Sequence, residues 1–398
     1  MKKQLFLFAL IICGIANAQN TWTVKNPFGG TGRYTAVGFS IGTKGYIGTG
    51  SPDGATARVD FWEWNQTTNA WTQKASFGGG ARFDGVGFSI GNKGYIGLGT
   101  TNAGNALDDL WEYDPTLDTW TQKTNLPAPG RRLAVAFTIG NKGYVSMGTN
   151  AGLNIFYNDL WEYNPSADTV SGSPWVQRAS YPGSGRASAF CFSIGTKGYI
   201  GTGTDWSTTF GDFKEWNQST DTWTSKANFG ARYGAVGFSI AGKGYAGTGF
   251  PGPTVDFREY DPATDVWTQR ANFGGVPRVY PVGFSVGNNG YIGTGFDPTP
   301  YLDYTDFWEY SPVNVGIHEV PNEIKISVYP NPSYGKFILN SEITKGEIEI
   351  YNSMGEKIYI SEIISKETEI DLSGKAKGVY FIKIQTKDQV FAQKVILE

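Results

Sequence analysis

Histidine and cysteine are almost absent from this chain: His318, Cys13 and Cys191 are the only ones in 398 residues. That scarcity removes whole classes of chemistry. Zinc, copper and haem sites draw their ligands mainly from imidazole and thiolate, and a Ser-His-Asp or Cys-His arrangement needs a histidine beside its nucleophile. No metal site, no cofactor and no such catalytic residue is therefore expected. A phosphate-binding glycine loop with its lysine is missing, and so is an EF-hand spacing, since Asp108-Asp109 recurs elsewhere only as a single Asp. A basic excess is missing too: residues 20–312 hold 21 Lys/Arg against 24 Asp/Glu, which is not the electrostatic footprint of a nucleic-acid binder. Beyond the N-terminus no stretch is long and apolar enough to span a membrane, and nothing in the repeats reads as a helix.

The N-terminus reads as a secretory signal peptide over residues 1–18: Lys2-Lys3, an apolar run from Leu5 to Ile15, then Ala16-Asn17-Ala18 before Gln19. Ile11-Ile12 precede Cys13 where a lipid-attachment site would need a small residue. Cleavage leaves Cys191 alone, so no intramolecular disulfide can form and the core must hold the fold. Large aromatic rings can supply that core, and aromatics make up 15% of the chain. Cys191, in Ala189-Phe190-Cys191-Phe192, reads as buried filler.

What the chain has in abundance is repetition. Six copies of one pattern run from Arg33 to Tyr310: an Arg, an apolar strand ending in KGY-x-G-x-G, then D-[FL]-W-E-[WY], then W-T. Aligned on Arg33, Arg82, Arg132, Arg186, Arg232 and Arg278, the copies are 49, 50, 54, 46 and 46 residues apart, the length of a four-stranded propeller blade. The third landmark aligns as Trp62, Trp111, Trp161, Phe213, Phe257 and Trp308. Trp71, Trp120, Trp175, Trp223 and Trp267 close five units, while the sixth stops at Pro312 without its closing strand. Thr21-Trp22-Thr23-Val24-Lys25 resembles Ala70-Trp71-Thr72-Gln73-Lys74 and is expected to supply it, closing a ring of six blades. Tight turns, marked by the Gly and Lys between the apolar runs of Phe39-Ser40-Ile41-Gly42-Thr43-Lys44-Gly45-Tyr46-Ile47 and by Asp114-Pro115-Thr116-Leu117-Asp118, pin the strand register. The fold class expected is all-β: a six-bladed propeller over 20–312, a linker over 313–325, and a small β-sandwich over 326–398.

The Arg start, the Gly-Tyr strand and a Tyr followed seven positions later by Trp, as in Tyr113 to Trp120 and Tyr260 to Trp267, resemble kelch repeats over about 290 residues. The kelch Gly-Gly doublet is replaced by Gly48-Thr49-Gly50 and its equivalents, and the Tyr163 to Trp175 spacing is stretched through Thr169-Val170-Ser171-Gly172-Ser173-Pro174. Kelch-like propellers include copper radical oxidases, whose Tyr/His/Cys cluster this sequence cannot supply, and sialic acid mutarotases.

Composition changes after residue 312, with ten lysines, no arginine and no tryptophan from Val313 onward. Val328-Tyr329-Pro330-Asn331-Pro332-Ser333-Tyr334-Gly335, Ile350-Tyr351-Asn352-Ser353-Met354-Gly355-Glu356, Gly378-Val379-Tyr380-Phe381-Ile382-Lys383-Ile384 and Gln393-Lys394-Val395-Ile396-Leu397 resemble, in order, the type A sorting domain of the type IX secretion system. That resemblance implies a partner, the type IX machinery acting through 326–398, and a secreted or outer-surface location.

The six arginines could face a sugar acid. A residue that every blade needs is more readily explained as a structural charged hydrogen-bond donor, paired with the recurring Asp60, Asp109, Asp159, Asp212, Asp256 and Asp306. Function is expected where symmetry breaks. In kelch proteins the segments between second and third strands share a face with those leading into each Arg. They would bring Phe156, Tyr157, Trp206, Phe210, Phe250, Tyr301 and Tyr304 to one rim with Tyr34, Phe83, Tyr233 and Tyr280, the kind of surface on which a sugar ring or a partner protein stacks. The expectation is a monomeric secreted or cell-surface binding module for a glycan or protein. A metal-independent sugar-acid mutarotase and a structural surface or adhesin component are the alternatives.

Overall fold

The computed structural model describes residues 20–312 and 326–398, apart from Val170, Ser171, Pro253, Pro300, residue 364 and the stretches 342–344, 353–355 and 386–389. The expected signal peptide and linker lie outside the described residues. The chain divides into two compact units, Met1–Val313 and Asn314–Glu398.

The first unit is a six-bladed propeller. Each blade is a four-stranded antiparallel sheet. Blade one, for example, contains Val37–Ile41, Lys44–Gly48, Phe61–Asn65 and Ala70–Lys74. The first strand of each blade packs against the first strand of the next, and the sixth packs against the first. Blade six consists of Val282–Val286, Asn289–Gly293, Phe307–Ser311 and, as its outer strand, the N-terminal Thr21–Lys25. Trp22 lies opposite Tyr310 in that register.

Two repeated residues explain how the blades nest. The glycine of each KGY faces the Phe of the first strand in the preceding blade. A Cβ on Gly94 would lie 2.4 Å from the Phe39 ring, and one on Gly45 would lie 2.4 Å from Phe284, across the ring closure. Such distances are far inside van der Waals contact, so only glycine lets the blades approach this closely. On the outside, the closing tryptophan of each blade donates its indole N–H to a carbonyl of the preceding blade: Trp71 to Asn26, Trp120 to Ala75, Trp175 to Thr124, Trp223 to Ala179, Trp267 to Ala227 and Trp22 to Ala271, all between 2.7 and 3.1 Å.

Around the axis, one residue per blade forms a closed circle of backbone hydrogen bonds. Asp84 donates to Thr35, Leu133 to Asp84, Ser188 to Leu133, Gly234 to Ser188, Tyr280 to Gly234 and Thr35 to Tyr280, at 2.8–3.3 Å. All six have φ between +49° and +63°. Five of these are not glycine, a cost that the surrounding blades must offset.

The second unit packs a three-stranded sheet, Ile326–Tyr329, Lys336–Ser341 and Glu367–Asp371, with a four-stranded one in the order Lys357–Ile363, Gly346–Asn352, Gly378–Gln385 and Val390–Leu397. The alternation Phe337/Leu339, Ile348/Ile350 and Ile382/Ile384 puts one face of each sheet into a common core.

Candidate functional site

The loops of the propeller are held by an arginine in every blade. Arg33 donates to both carboxylate oxygens of Asp60, at 2.7 and 2.8 Å, and to the Thr49 carbonyl at 2.8 Å. It is 1% exposed. The arginine reaches the carbonyl 16 residues on in every blade. This fork ties the segment entering the first strand to the segment entering the third, fixing both loops on one face.

In blade three that role belongs to Arg131, not Arg132. Arg131 is fully buried, bonds Asp159 at 2.5 and 2.9 Å and reaches the Met147 carbonyl at 3.2 Å. Arg132 occupies the next position, where other blades have Tyr34, Phe83, Ala187, Tyr233 and Val279. Its Nε donates to Asp84 Oδ2 at 2.5 Å, and its guanidinium lies 5.2 Å above the Phe83 ring. Burial pushes the Asp84 carboxyl above the ordinary carboxylate range, and the Arg132 charge opposes that shift. A second register differs as well: the strand partners equivalent to Trp62, Trp111, Trp161 and Trp308 are Lys214 and Arg258, while Phe213 and Phe257 correspond to Phe61. The side chain there always serves the repeat aspartate. Trp62 donates to Asp60 at 2.7 Å, whereas Lys214 and Arg258 lie 3.7 and 3.3 Å from Asp212 and Asp256.

Above these supports the loop face carries a continuous run of rings. Phe156 meets Trp206 at 6.1 Å, Trp206 meets Tyr233 at 5.9 Å, and Tyr233 contacts Phe250 at 5.3 Å and Tyr280 at 6.3 Å. Tyr280 then meets Tyr34 at 6.3 Å, Tyr34 stacks on Phe296 at 4.9 Å, and Phe296 meets Tyr301 at 5.8 Å. The arc spans blades three to six and crosses into blade one. Trp206 is 43% exposed and Tyr301 82%, while the rings between them are half-buried.

Not every rim aromatic joins this arc. Tyr157, Phe210 and Tyr304 lie over the guanidinium groups of Arg131, Arg186 and Arg278, at 4.3, 3.9 and 4.4 Å, so they cover the structural arginines. Phe83 is 5% exposed, beneath Arg132. Residues the sequence reading did not single out also belong here: Phe296, Asp84 and Asp303. Asp303 and Asp53 both raise the Tyr34 hydroxyl above its ordinary range, after burial itself, and burial with the Asp53 charge pushes Asp303 up to about 6.

An axial cavity of about 120 Å³ lies at the centre of this face, lined by Thr35, Asp84, Leu133, Ser188, Tyr280 and small residues beside them. That is below the roughly 300 Å³ at which small-molecule pockets begin. The described residues hold no cluster of three or more His, Cys, Asp or Glu suited to a metal ion. Burial pushes the Cys191 thiol up to about 12, and the thiol donates to the Ala136 carbonyl at 3.0 Å, so it is not a nucleophile.

The C-terminal unit settles where the chain goes. Residues 327–398 match the family model described as the secretion system C-terminal sorting domain. The chain is a secreted or cell-surface protein carrying a type IX sorting tail. Glu349 anchors the sheet of the sorting domain, with Lys357 and Lys383 at 2.6 and 2.9 Å. Among the described residues no helix is long and apolar enough to cross a membrane. The propeller is similar to a solved structure titled "Structure of YjhT", with a TM-score of 0.60 and 18% identity over 71% of this chain and 95% of that one. At that identity the likeness concerns the fold. No curated protein matches the chain.

Proposed function

We propose that the propeller is a binding module for a glycan, delivered to the cell exterior by its sorting domain after removal of a signal peptide over residues 1–18. The observation that carries this reading is the aromatic arc from Phe156 to Tyr301, an asymmetric feature on an otherwise repetitive scaffold, with exposed rings at Trp206 and Tyr301. Rings held by a rigid sheet offer flat apolar faces at little entropic cost, and sugar rings stack on such faces. The small axial cavity favours a ligand laid across the surface over one swallowed by the channel.

The test is a glycan array probed with the mature chain, beside a Trp206→Ala, Tyr301→Ala double variant. Binding that the double variant loses supports the reading. Binding retained in full by the double variant, or array silence together with capture of a protein ligand, would refute it.

A second reading draws on Asp84 and Arg132, a carboxylate–guanidinium pair at two repeat positions where the other blades carry no charge. A metal-independent sugar-converting enzyme would use such a pair for proton transfer. Against this, the two groups neutralise each other in place. Catalysed anomer exchange, followed by NMR, that is lost in Arg132→Ala would favour the enzyme.

A further inference from the structure

Blade six meets blade one at the Tyr34 end of the arc, and the groups there do more than stack. Tyr34 lies against Phe296 and Phe296 against Tyr301, as described, and the backbone of Asp303 comes so close to Gly32 that a Cβ there would meet its carbonyl oxygen at 2.9 Å. Asp303 Oδ1 is buried and has no hydrogen-bond partner among the described residues. Asp53, in the facing loop, is already engaged by the N–H groups of Ala55 and Thr56 at 2.9 and 2.6 Å and by the Thr56 hydroxyl at 2.7 Å. An ionised carboxylate only accepts hydrogen bonds, so a group that engages the half-buried Asp303 carboxylate from the solvent side must be a donor.

The charge of this face narrows the donor further. None of the segments leading into the first strands or joining second to third strands contains a lysine. Their six repeat arginines are bound to aspartates, Arg132 to Asp84 and Arg270 to Glu259, which leaves Arg58, in the Asp53 loop, as the one arginine of these segments with no ion pair among the described residues. Carboxylates remain beside the rings: Asp205 next to Trp206, Asp297 next to Phe296, and Asp53 and Asp303 near Tyr34. A negative rim repels an acidic ligand and accepts hydroxyl donors.

We infer that Tyr34, Tyr301 and Asp303 form a subsite for a ring of a neutral glycan, its face stacked on the tyrosines and a hydroxyl donated to Asp303, and that this rim rejects acidic sugars. The inference rests on the glycan reading above and adds to it the charge class and the acceptor.

Calorimetric titration of the mature chain with cellohexaose, xylohexaose, mannohexaose and maltohexaose, and with a galacturonate oligomer as the acidic probe, tests it at low salt. At least one neutral probe binds, and the galacturonate binds at least tenfold more weakly. Asp303→Asn weakens the neutral probe by about tenfold or more, the size of a lost hydrogen bond to a charged acceptor. Tyr301→Ala, at a side chain too exposed to matter for folding, weakens it as well. Neutral binding left intact by Asp303→Asn, or galacturonate binding as tight as the neutral probe, overturns the subsite and leaves the glycan reading standing. Failure of every probe to bind overturns both.

Discussion

Replacing Arg131 by alanine is expected to cost about 3 kcal/mol, and the geometry sets that figure. Arg131 is fully buried, makes two bonds to Asp159 and one to the Met147 carbonyl, and carries the Tyr157 ring 4.3 Å above it. Removing one partner of a buried ion pair costs roughly 3–5 kcal/mol, because the remaining charge stays desolvated. The Asp159 side chain keeps 18% of its surface in solvent, which puts this case at the lower end. At roughly 2 °C per kcal/mol for a domain of this size, the melting temperature falls by about 6 °C. The control is the double variant Asp84→Ser, Arg132→Ala, which installs the residues that blade four carries at Ser188 and Ala187. Both charges disappear together, and such replacements are close to neutral, so the shift stays within about 2 °C. Thermal and urea unfolding followed by tryptophan fluorescence read both. A double variant that loses as much as Arg131→Ala, or an Arg131→Ala loss below about 1 kcal/mol, would refute the assignment of Arg131 as the structural arginine of its blade.

Gly143→Ala places a methyl 2.4 Å from the Phe88 ring and should cost about 1–3 kcal/mol by overpacking, read as a lower urea midpoint; an unchanged midpoint would contradict the nested-blade packing. Trp22→Ala removes edge-to-face contacts with Phe257 and Phe273 at 4.9 and 5.1 Å and the bond to Ala271. It is expected to cost about 3 kcal/mol, and a variant as stable as the wild type would show that the N-terminal strand does not close the ring. Asp60, Asp159, Asp212 and Asp256 are each half-buried, which pushes them up, but their arginine partners hold the net shift below the ordinary 3.8. The stability they contribute is complete above that value and is lost as pH falls through the lower folded values, so a melting temperature that stays flat on acidification below pH 4 would refute it. Asp303 has the opposite sign. Its folded value is raised from 3.8 to about 6, so the native state holds the extra proton between those values and wild type loses stability as pH rises through that window. Asp303→Asn should therefore gain on wild type in melting temperature between pH 4 and pH 7.5.

The blade pattern is legible in the chain because each repeated residue answers a short-range demand. KGY needs its glycine to admit a phenylalanine, and W-T needs its indole to reach a neighbouring carbonyl. The slip from Arg131 to Arg132 shows where periodicity stops being enough. Two adjacent arginines fit a period near 50 equally well, and what separates them is the fixed offset of 16 residues to the carbonyl the arginine must reach, which only Arg131 satisfies with Met147. A phenylalanine aligned with a tryptophan at Phe213 and Phe257 is the same error on a strand, where a shift of one residue exchanges the two faces. The rim was harder to read. Tyr157, Phe210 and Tyr304 share composition with the arc yet cover arginines, and Phe296 joins it through Tyr34, a residue from the opposite end of the propeller. That contact exists only once the ring has closed.

Closure by Thr21–Lys25 also sets an order of events in time. The strand that completes blade six is among the first segments of the propeller to be made, and its partner Phe307–Ser311 is the last; the Tyr310 hydroxyl and Asn20 that meet there are 290 residues apart in the chain. Until synthesis and export have delivered Ser311, the N-terminal strand waits with Trp22 unburied and one edge unpaired, the condition in which strands associate wrongly. The sorting domain follows after that point, so the address is attached to a propeller whose two ends have already become able to meet.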